Sequence, residues 1–360
     1  MFEIIKQDKS GIRFGRIKTA HGLIKTPFFM PDATRGFLKL INNREIKETG
    51  TEVLVVNTFH LYLQPGLDVI KKAGGIHKFM DWTGPLLSDS GGYQVFSLVH
   101  RNKKMGKISD ERVTFRSPLD GSRHELSPEK SIQIQFDLGT DMIVCLDDCP
   151  PNEFSRRDLE KAVERTIAWA KRCKQEYLKQ IKKRKISASK RPLLFSVIQG
   201  GAEIDLRERC TKELVKIGFD GYGFGARPID EKGNFLKTVL QKTAEFIPRE
   251  SLRFALGIGT SEDIKRCAAM GWDMFDCVIP TREGRHGRLF LKNKTININN
   301  AQFVKDFKAI NKYSRISELR VHTKAYLHHL FKMNEPLGQK MASLNNLEFY
   351  QNLLAGLFKK

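Results

Sequence analysis

The stretch Phe275-Asp276-Cys277-Val278-Ile279-Pro280-Thr281-Arg282-Glu283-Gly284-Arg285-His286-Gly287 ends an apolar run with a carboxylate and follows it with a basic, glycine-bearing loop. A carboxylate placed there can attack an electrophile, and the arginines can hold an anion. A solvated acid at a strand end, followed by an ordinary turn, accounts for the same residues equally well. The rest of the chain has to decide whether this run is isolated or the last of a series.

It is the last of a series. Strand-like apolar runs occur at 27–30, 52–56, 85–88, 141–146, 193–198, 221–225, 253–256 and 273–278, with helical periodicity between most of them. Eight runs alternating with helices are what a (β/α)8 TIM barrel needs, so the fold class is α/β. The clearest helix spans 155–177, where Leu159, Ala162, Val163, Thr166, Ile167, Ala170 and Cys173 recur at three- and four-residue spacing. Ser155 and Asp158 resemble a capping box at its start, and Lys182-Lys183-Arg184-Lys185 reads as a solvated face. A hairpin at 13–19 and 22–29 precedes the first run, turning at Ala20-His21-Gly22. An insertion at 95–138 carries a β-hairpin (113–116 and 124–126) and a helix at 128–138. Strands at 288–292 and 295–298 pair after the barrel, and helical segments at 325–331 and 344–357 need a partner surface. The expected organisation is a catalytic barrel with insertions at 1–299 and a docked C-terminal helical subdomain at 300–360.

The residues that close the runs carry the chemistry. Asn57-Thr58, Ser88-Asp89-Ser90-Gly91-Gly92, Asp147-Asp148, Gln199-Gly200-Gly201, Gly225 and Asp276 each follow an apolar run. In a barrel they converge on the C-terminal mouth, where active sites are built. Asp276 and Asp89 are the natural pair for nucleophilic attack combined with proton transfer, as in retaining glycoside chemistry. Asp147 and Gln199 offer an acceptor and a mixed donor/acceptor, which suits a purine edge. Tyr93 fits either a base-stacking residue or a half-buried rim aromatic.

Composition narrows the partner. The chain has 360 residues, 62 Lys and Arg against 41 Asp and Glu, a net charge of +21 and a pI near 9.7. That balance favours a polyanion, nucleic acid before an anionic membrane surface. No run reaches the ~18 apolar residues of a membrane span, and Met1-Phe2-Glu3-Ile4-Ile5-Lys6 lacks a signal-peptide core, so a cytoplasmic protein without a membrane partner is expected. The six cysteines, Cys145, Cys149, Cys173, Cys210, Cys267 and Cys277, form no CxxC pair, and reduced thiols follow.

Several segments together resemble the bacterial tRNA-guanine transglycosylases: Ser88-Asp89-Ser90-Gly91-Gly92-Tyr93-Gln94, Leu146-Asp147-Asp148-Cys149, Gln199-Gly200-Gly201, Gly218-Phe219-Asp220-Gly221-Tyr222, Gly257-Ile258-Gly259, and 275–282 of the opening stretch. The order and spacing match over nearly the whole chain. The resemblance implies exchange of the tRNA wobble guanine for a 7-deazaguanine base on the route to queuosine. Asp276 would be the nucleophile at the ribose anomeric carbon and Asp89 the general acid/base. It implies base contacts from Asp89, Ser90, Gly91, Gly92, Asp147, Gln199, Gly225 and Ala226, with Tyr93 and Leu256 on the two faces of the base. Contacts to the tRNA anticodon arm would come from Gly257, Ile258, Gly259, Thr260, Ser261, Glu262 and Asp263, and from Thr281, Arg282, Glu283, Gly284 and Arg285. A homodimer is also implied.

Two departures stand out. The family's structural zinc is held by a CxCxxC stretch and a histidine, but the aligned positions here are Ser314, Ile316, Leu319 and Asn345, so no metal and no cofactor are expected. Packing through Ile316, Leu319, Val321, Leu327 and Leu330 would take its place, and His322, His328 and His329 read as surface or RNA-facing. The second departure lies at 225–231, where Ala226 adds a methyl beside the base and Pro228 removes an N–H. With Cys149 and Ile229 crowding a larger substituent, 7-aminomethyl-7-deazaguanine is favoured over queuine. Base exchange with queuine or into DNA, a non-catalytic RNA-binding subunit and an ordinary glycosidase are the alternatives.

Overall fold

A computed structural model describes residues 2–151, 153–230 and 232–359. Its centre is an eight-stranded parallel sheet: β1 (Phe28–Pro31), β2 (Leu54–Asn57), β3 (Leu86–Asp89), β4 (Met142–Val144), β5 (Leu193–Ile198), β6 (Gly221–Phe224), β7 (Leu252–Ala255) and β8 (Met274–Cys277). β8 pairs with β1, in register Asp276 to Met30. The ring closes between β1 and β2 through the Asp32–Val55 bridge, where the Ala33 amide donates to the Val55 carbonyl at 2.7 Å. All eight expected runs are barrel strands.

Strand alternation explains what faces the interior. Phe28 and Met30, Val55, Leu87, Val144, Phe195, Phe254 and Met274 point inward and fill the barrel as one apolar core. Two residues beyond the last inward side chains of β1, β2, β3 and β8, the same face carries Asp32, Asn57, Asp89 and Asp276. The barrel therefore ends in a polar ring above an apolar plug.

Helices coat the outside: α1 (Gly92–Arg101), α2 (Pro128–Leu138), α3 (Arg156–Lys183), α4 (Ile204–Ile217), α5 (Lys237–Phe246), α6 (Ser261–Ala269) and α7 (Ile279–Arg285). α3 runs through the first two lysines of the charge run, since one face stays buried as far as Gln180. The Ser155 hydroxyl accepts from the Asp158 amide at 3.2 Å, while Asp158 takes the Ser155 hydroxyl proton instead of a backbone amide. The insertion is a three-stranded sheet: Gly106–Ile108 joins the expected hairpin. The N-terminal hairpin likewise gains a third strand, Phe2–Gln7.

The basic segment after Asp276 differs from the expected loop. Residues Ile279–Arg285 form a helix, not a loop, with Pro280 in its first turn and Thr281 and Gly284 on its buried side. That side packs against the tail, which contains α8 (Ser317–Val321), α9 (Lys324–Lys332) and α10 (Pro336–Ala355). A Cβ on Gly284 would lie 2.7 Å from the Ser343 backbone, so glycine allows the two helices to touch. α10 also reaches the barrel, where Tyr350 packs on Phe29 with ring centroids 4.8 Å apart and donates to the Gly259 carbonyl. Among the described residues, no helix is long and apolar enough to cross a membrane.

Candidate active site

Asp89 sits half-buried at the end of β3 and accepts from Asn57 Nδ2 at 2.5 Å and from the amides of Thr58 and Gly91 at 3.0 and 3.1 Å. Burial pushes its carboxyl up to about 8, with the charges of Asp32 and Asp276 adding to the shift and the two amides opposing it. Asp276, also half-buried, accepts from the Gly257 amide at 2.8 Å. Burial, with a contribution from Asp32, raises it to about 7. Two carboxyl groups that hold protons near neutrality on one rim can act as a nucleophile and a proton carrier.

Asp32 did not emerge from the sequence. It follows Met30-Pro31, one residue beyond β1, and its Oδ1 accepts from the Thr34 hydroxyl at 2.8 Å. Its place at the end of the first strand is the same signal that singled out Asp89 and Asp276.

Across the mouth, Asp147 accepts from Gln199 Nε2 at 2.6 Å, and Gln199 Oε1 is buried without a partner. Burial raises Asp147 to about 6. Asp148 turns the other way, into an ion pair with Arg165 of α3, so only the first member of the Asp147-Asp148 pair faces the site. Gly225 is fixed by Gln199: a Cβ there would lie 2.4 Å from Nε2. Ala226 adopts φ +77°, a left-handed conformation that favours glycine, so the methyl comes with backbone strain. Glu231 lies outside the described residues.

Ser90 is buried, and its hydroxyl accepts from the Gly92 amide at 3.2 Å. Gly91 and Gly92 lead into α1, where Tyr93 is 56% exposed, and Leu256, just past the end of β7, is half-buried. Cys149 is a protonated thiol, since burial and Asp147 push it up to about 12, and all six cysteines are unpaired.

The second residue missed is Arg207 of α4. It is fully buried, donates to the carbonyls of Gly201 (2.7 Å), Ile198 (3.2 Å) and Gly225 (2.9 Å), and lies 3.9 Å over the Phe224 ring. Burial lowers its guanidinium to about 9. A single arginine on an amphipathic helix carries no signal that it holds three carbonyls behind Gln199 and Gly225.

The segments expected to meet RNA are divided by burial. Ile258, Thr281 and Gly284 face inward. Thr260 caps α6, accepting from the Asp263 amide at 3.1 Å, and Glu262 and Asp263 pair with Arg266. Arg282 and Glu283, 3.4 Å apart, lie with Arg285 on the outer side of α7.

The four positions aligned with the family's zinc ligands do not fit a metal. Ser314 donates to Glu348, while Ile316 and Leu319 are core residues. Asn345 accepts from Asn311 at 3.1 Å and donates to the Phe290 carbonyl at 3.0 Å. Glu348, 1% exposed, also accepts from the Arg315 amide at 2.6 Å. Val321, expected in this packing, is 74% exposed because the short helix α8 buries only Leu319. His328 is buried rather than at the surface, with Nδ1 2.7 Å from the Ile298 carbonyl. Another cluster of ligand type, His21, His77 and Asp141, lies at the opposite end of the barrel. Asp141 there already accepts from the amides of His21 (3.1 Å) and Leu86 (2.9 Å), and the two histidine rings stack at 3.6 Å, a clamp between hairpin and barrel.

A parallel barrel with paired carboxylates on its C-terminal rim and a polar edge opposite has the layout of barrel enzymes that work at a glycosidic carbon. Comparison with known proteins narrows this. The profile described as Queuine tRNA-ribosyltransferase matches residues 8–358. The chain is 39% identical to the queuine tRNA-ribosyltransferase of Desulforamulus reducens over 352 residues, covering 98% of this chain and 91% of that protein. It is 39% identical to the Staphylococcus aureus protein of the same name over 357 residues, covering 98% and 90%. The chain belongs to the queuine tRNA-ribosyltransferase family, whose members are pentosyl-transferring enzymes.

Proposed function

We propose that this protein exchanges the wobble guanine of tRNA for 7-aminomethyl-7-deazaguanine through a covalent link between Asp276 and the ribose. The observation that supports this most directly is the pairing of Asp276 and Asp89 on one rim, both with protons held up towards neutral pH. In the first half-reaction the Asp276 carboxylate forms a bond to the ribose anomeric carbon as the bond to guanine breaks. The electron pair leaves with the base, which takes a proton from Asp89. In the second, the incoming base gives a ring N–H proton to the Asp89 carboxylate, and its nitrogen displaces Asp276. Asp147 and the unpaired Gln199 Oε1 supply acceptors for the amino and ring N–H groups of the base edge.

Preference for the aminomethyl base rests on the Arg227–Pro228 peptide, which can offer a carbonyl but no N–H. Pro228→Ala is expected to weaken discrimination against guanine in competition assays. The anticodon arm would meet the outer face of α7 and the loop before α6, on a chain of net charge +21. The donor set in the tail supports a protein without structural zinc. Phe307 and Tyr313, 74% and 78% exposed, support burial of the tail against a second copy, and light scattering reports that mass.

The deciding experiment incubates the protein with radiolabelled guanine and either tRNA or duplex DNA, then separates denatured complexes on a gel. The expected result is label in tRNA and a tRNA adduct that disappears in Asp276→Asn. Label in DNA alone, or no adduct with wild type, would overturn the reading.

A further inference from the structure

Around the rim, β8, β1, β2 and β3 are consecutive neighbours, and their inward positions carry Asp276, Asp32, Asn57 and Asp89 in that order. Three of four adjacent side chains are carboxylates, and the proposed exchange gives work to only two. Asp32 occupies the place between them. On its own loop it meets the Thr34 hydroxyl and amide. Its neighbours from β8 are Asp276 and Cys277, whose thiol burial keeps protonated. Towards β3 it faces Asp89, across the neutral Asn57. Among the described residues, no lysine or arginine pairs with Asp32.

Three carboxylates in one crevice without a cation cannot all ionise near neutral pH. The first to ionise is the one whose donors best offset its desolvation, and its charge then holds protons on the others. Asp32 accepts from the Thr34 hydroxyl at 2.8 Å and from its amide; its charge raises both Asp89 and Asp276, and neither of them raises Asp32.

Resting on the transglycosylase reading above, we propose that Asp32 is a positioning residue of the base exchange: a charged third carboxylate that keeps the proton on Asp89 while Asp276 ionises to attack. The step gains no new bond. The proton that leaves with guanine is the one Asp89 carries, and Asp32 neither donates nor accepts it.

The test is the pH profile of guanine exchange into tRNA by wild type, Asp32→Asn and Asp32→Glu. In Asp32→Asn, loss of the neighbouring charge lowers both titrations by about one pH unit. The whole profile moves towards acid, with a relative loss of roughly tenfold on the basic limb and a relative gain of roughly tenfold on the acidic limb. Asp32→Glu restores the wild-type position. A merely structural defect would scale the profile down at every pH without moving it, and that result would overturn the proposal. If Asp32→Asn does not fold, as judged by its thermal melt, Thr34→Val decides. It removes the hydroxyl that favours the charged form, so the same acidward shift is expected to a smaller degree, and an unmoved profile is again fatal. Absence of any tRNA adduct in wild type would sink the parent reading instead, so the two failures are distinguishable.

Discussion

The rim of the barrel and the tail behind it handle buried carboxylates in opposite ways. On the rim, Asp32, Asp89 and Asp276 gather with no cation paired to them among the described residues, and burial raises all three. In the tail, Glu348 is more deeply buried but fully supplied: the Ser314 hydroxyl, the Arg315 amide and the Arg315 guanidinium at 3.6 Å all point at it. The asparagines beside it continue the pattern, with Asn346 donating to the carbonyls of Pro280 and Arg288 at 3.0 and 2.9 Å. A carboxylate satisfied by its surroundings holds structure together. One held by neutral donors without a counter-charge is available for chemistry and costs stability.

The sharpest way to break this contrast is Asp276→Asn. Exchange is expected to fall by at least about a thousandfold, with no covalent tRNA species on denaturing gels. Retained activity would mean that the rim carboxylates held without a counter-charge are not the reacting ones. Next in size is Glu348→Ala, which leaves two donors unpaired in the tail. It should cost about 2–4 kcal/mol, seen as a melting temperature lower by several degrees, with the exchange rate per folded molecule unchanged. Chelators should leave the wild-type melt where it was, and stoichiometric zinc in the purified protein would contradict a hydrogen-bonded brace.

The smallest effect concerns pH and Asp89. Its carboxyl is held at about 8 in the folded protein against an ordinary value of 3.8. The folded state therefore binds a proton that the unfolded chain has already lost, and stability falls as pH rises through that window. Asp89→Asn removes the penalty. The variant's melting temperature relative to wild type should be higher at pH 8.5 than at pH 5, and a gap that is constant with pH would count against it.

Much of this was legible in the sequence because each barrel strand is a short apolar run ending in a polar residue. Asp89, Asp147, Gln199 and Asp276 stood out for that reason. Asp32 did not, because Pro31 separates it from its run and the first strand then looks complete at Met30. The edge strand Phe2–Gln7 escaped notice because its alternation is weak, with most of its residues exposed. Arg207 is a tertiary fact: nothing local distinguishes it from the solvated arginines of other helices. The apolar pattern marks the last helix only from 344 although it starts at Pro336, because Gly338, Met341, Ala342, Ser343, Asn345 and Asn346 are buried around most of its circumference. A helix enclosed on several sides shows no apolar stripe to read.

The position of that last helix also bears on how the protein is made. It clamps the helix that follows Asp276, packs on Phe29 of the first strand and fixes the Gly259 carbonyl beside the strand that precedes Asp276. Synthesis runs from the N-terminus, so a ribosome would release every rim residue before the segment that holds them in register. A nascent chain that already carries the rim carboxylates therefore lacks this brace until Pro336–Ala355 has emerged.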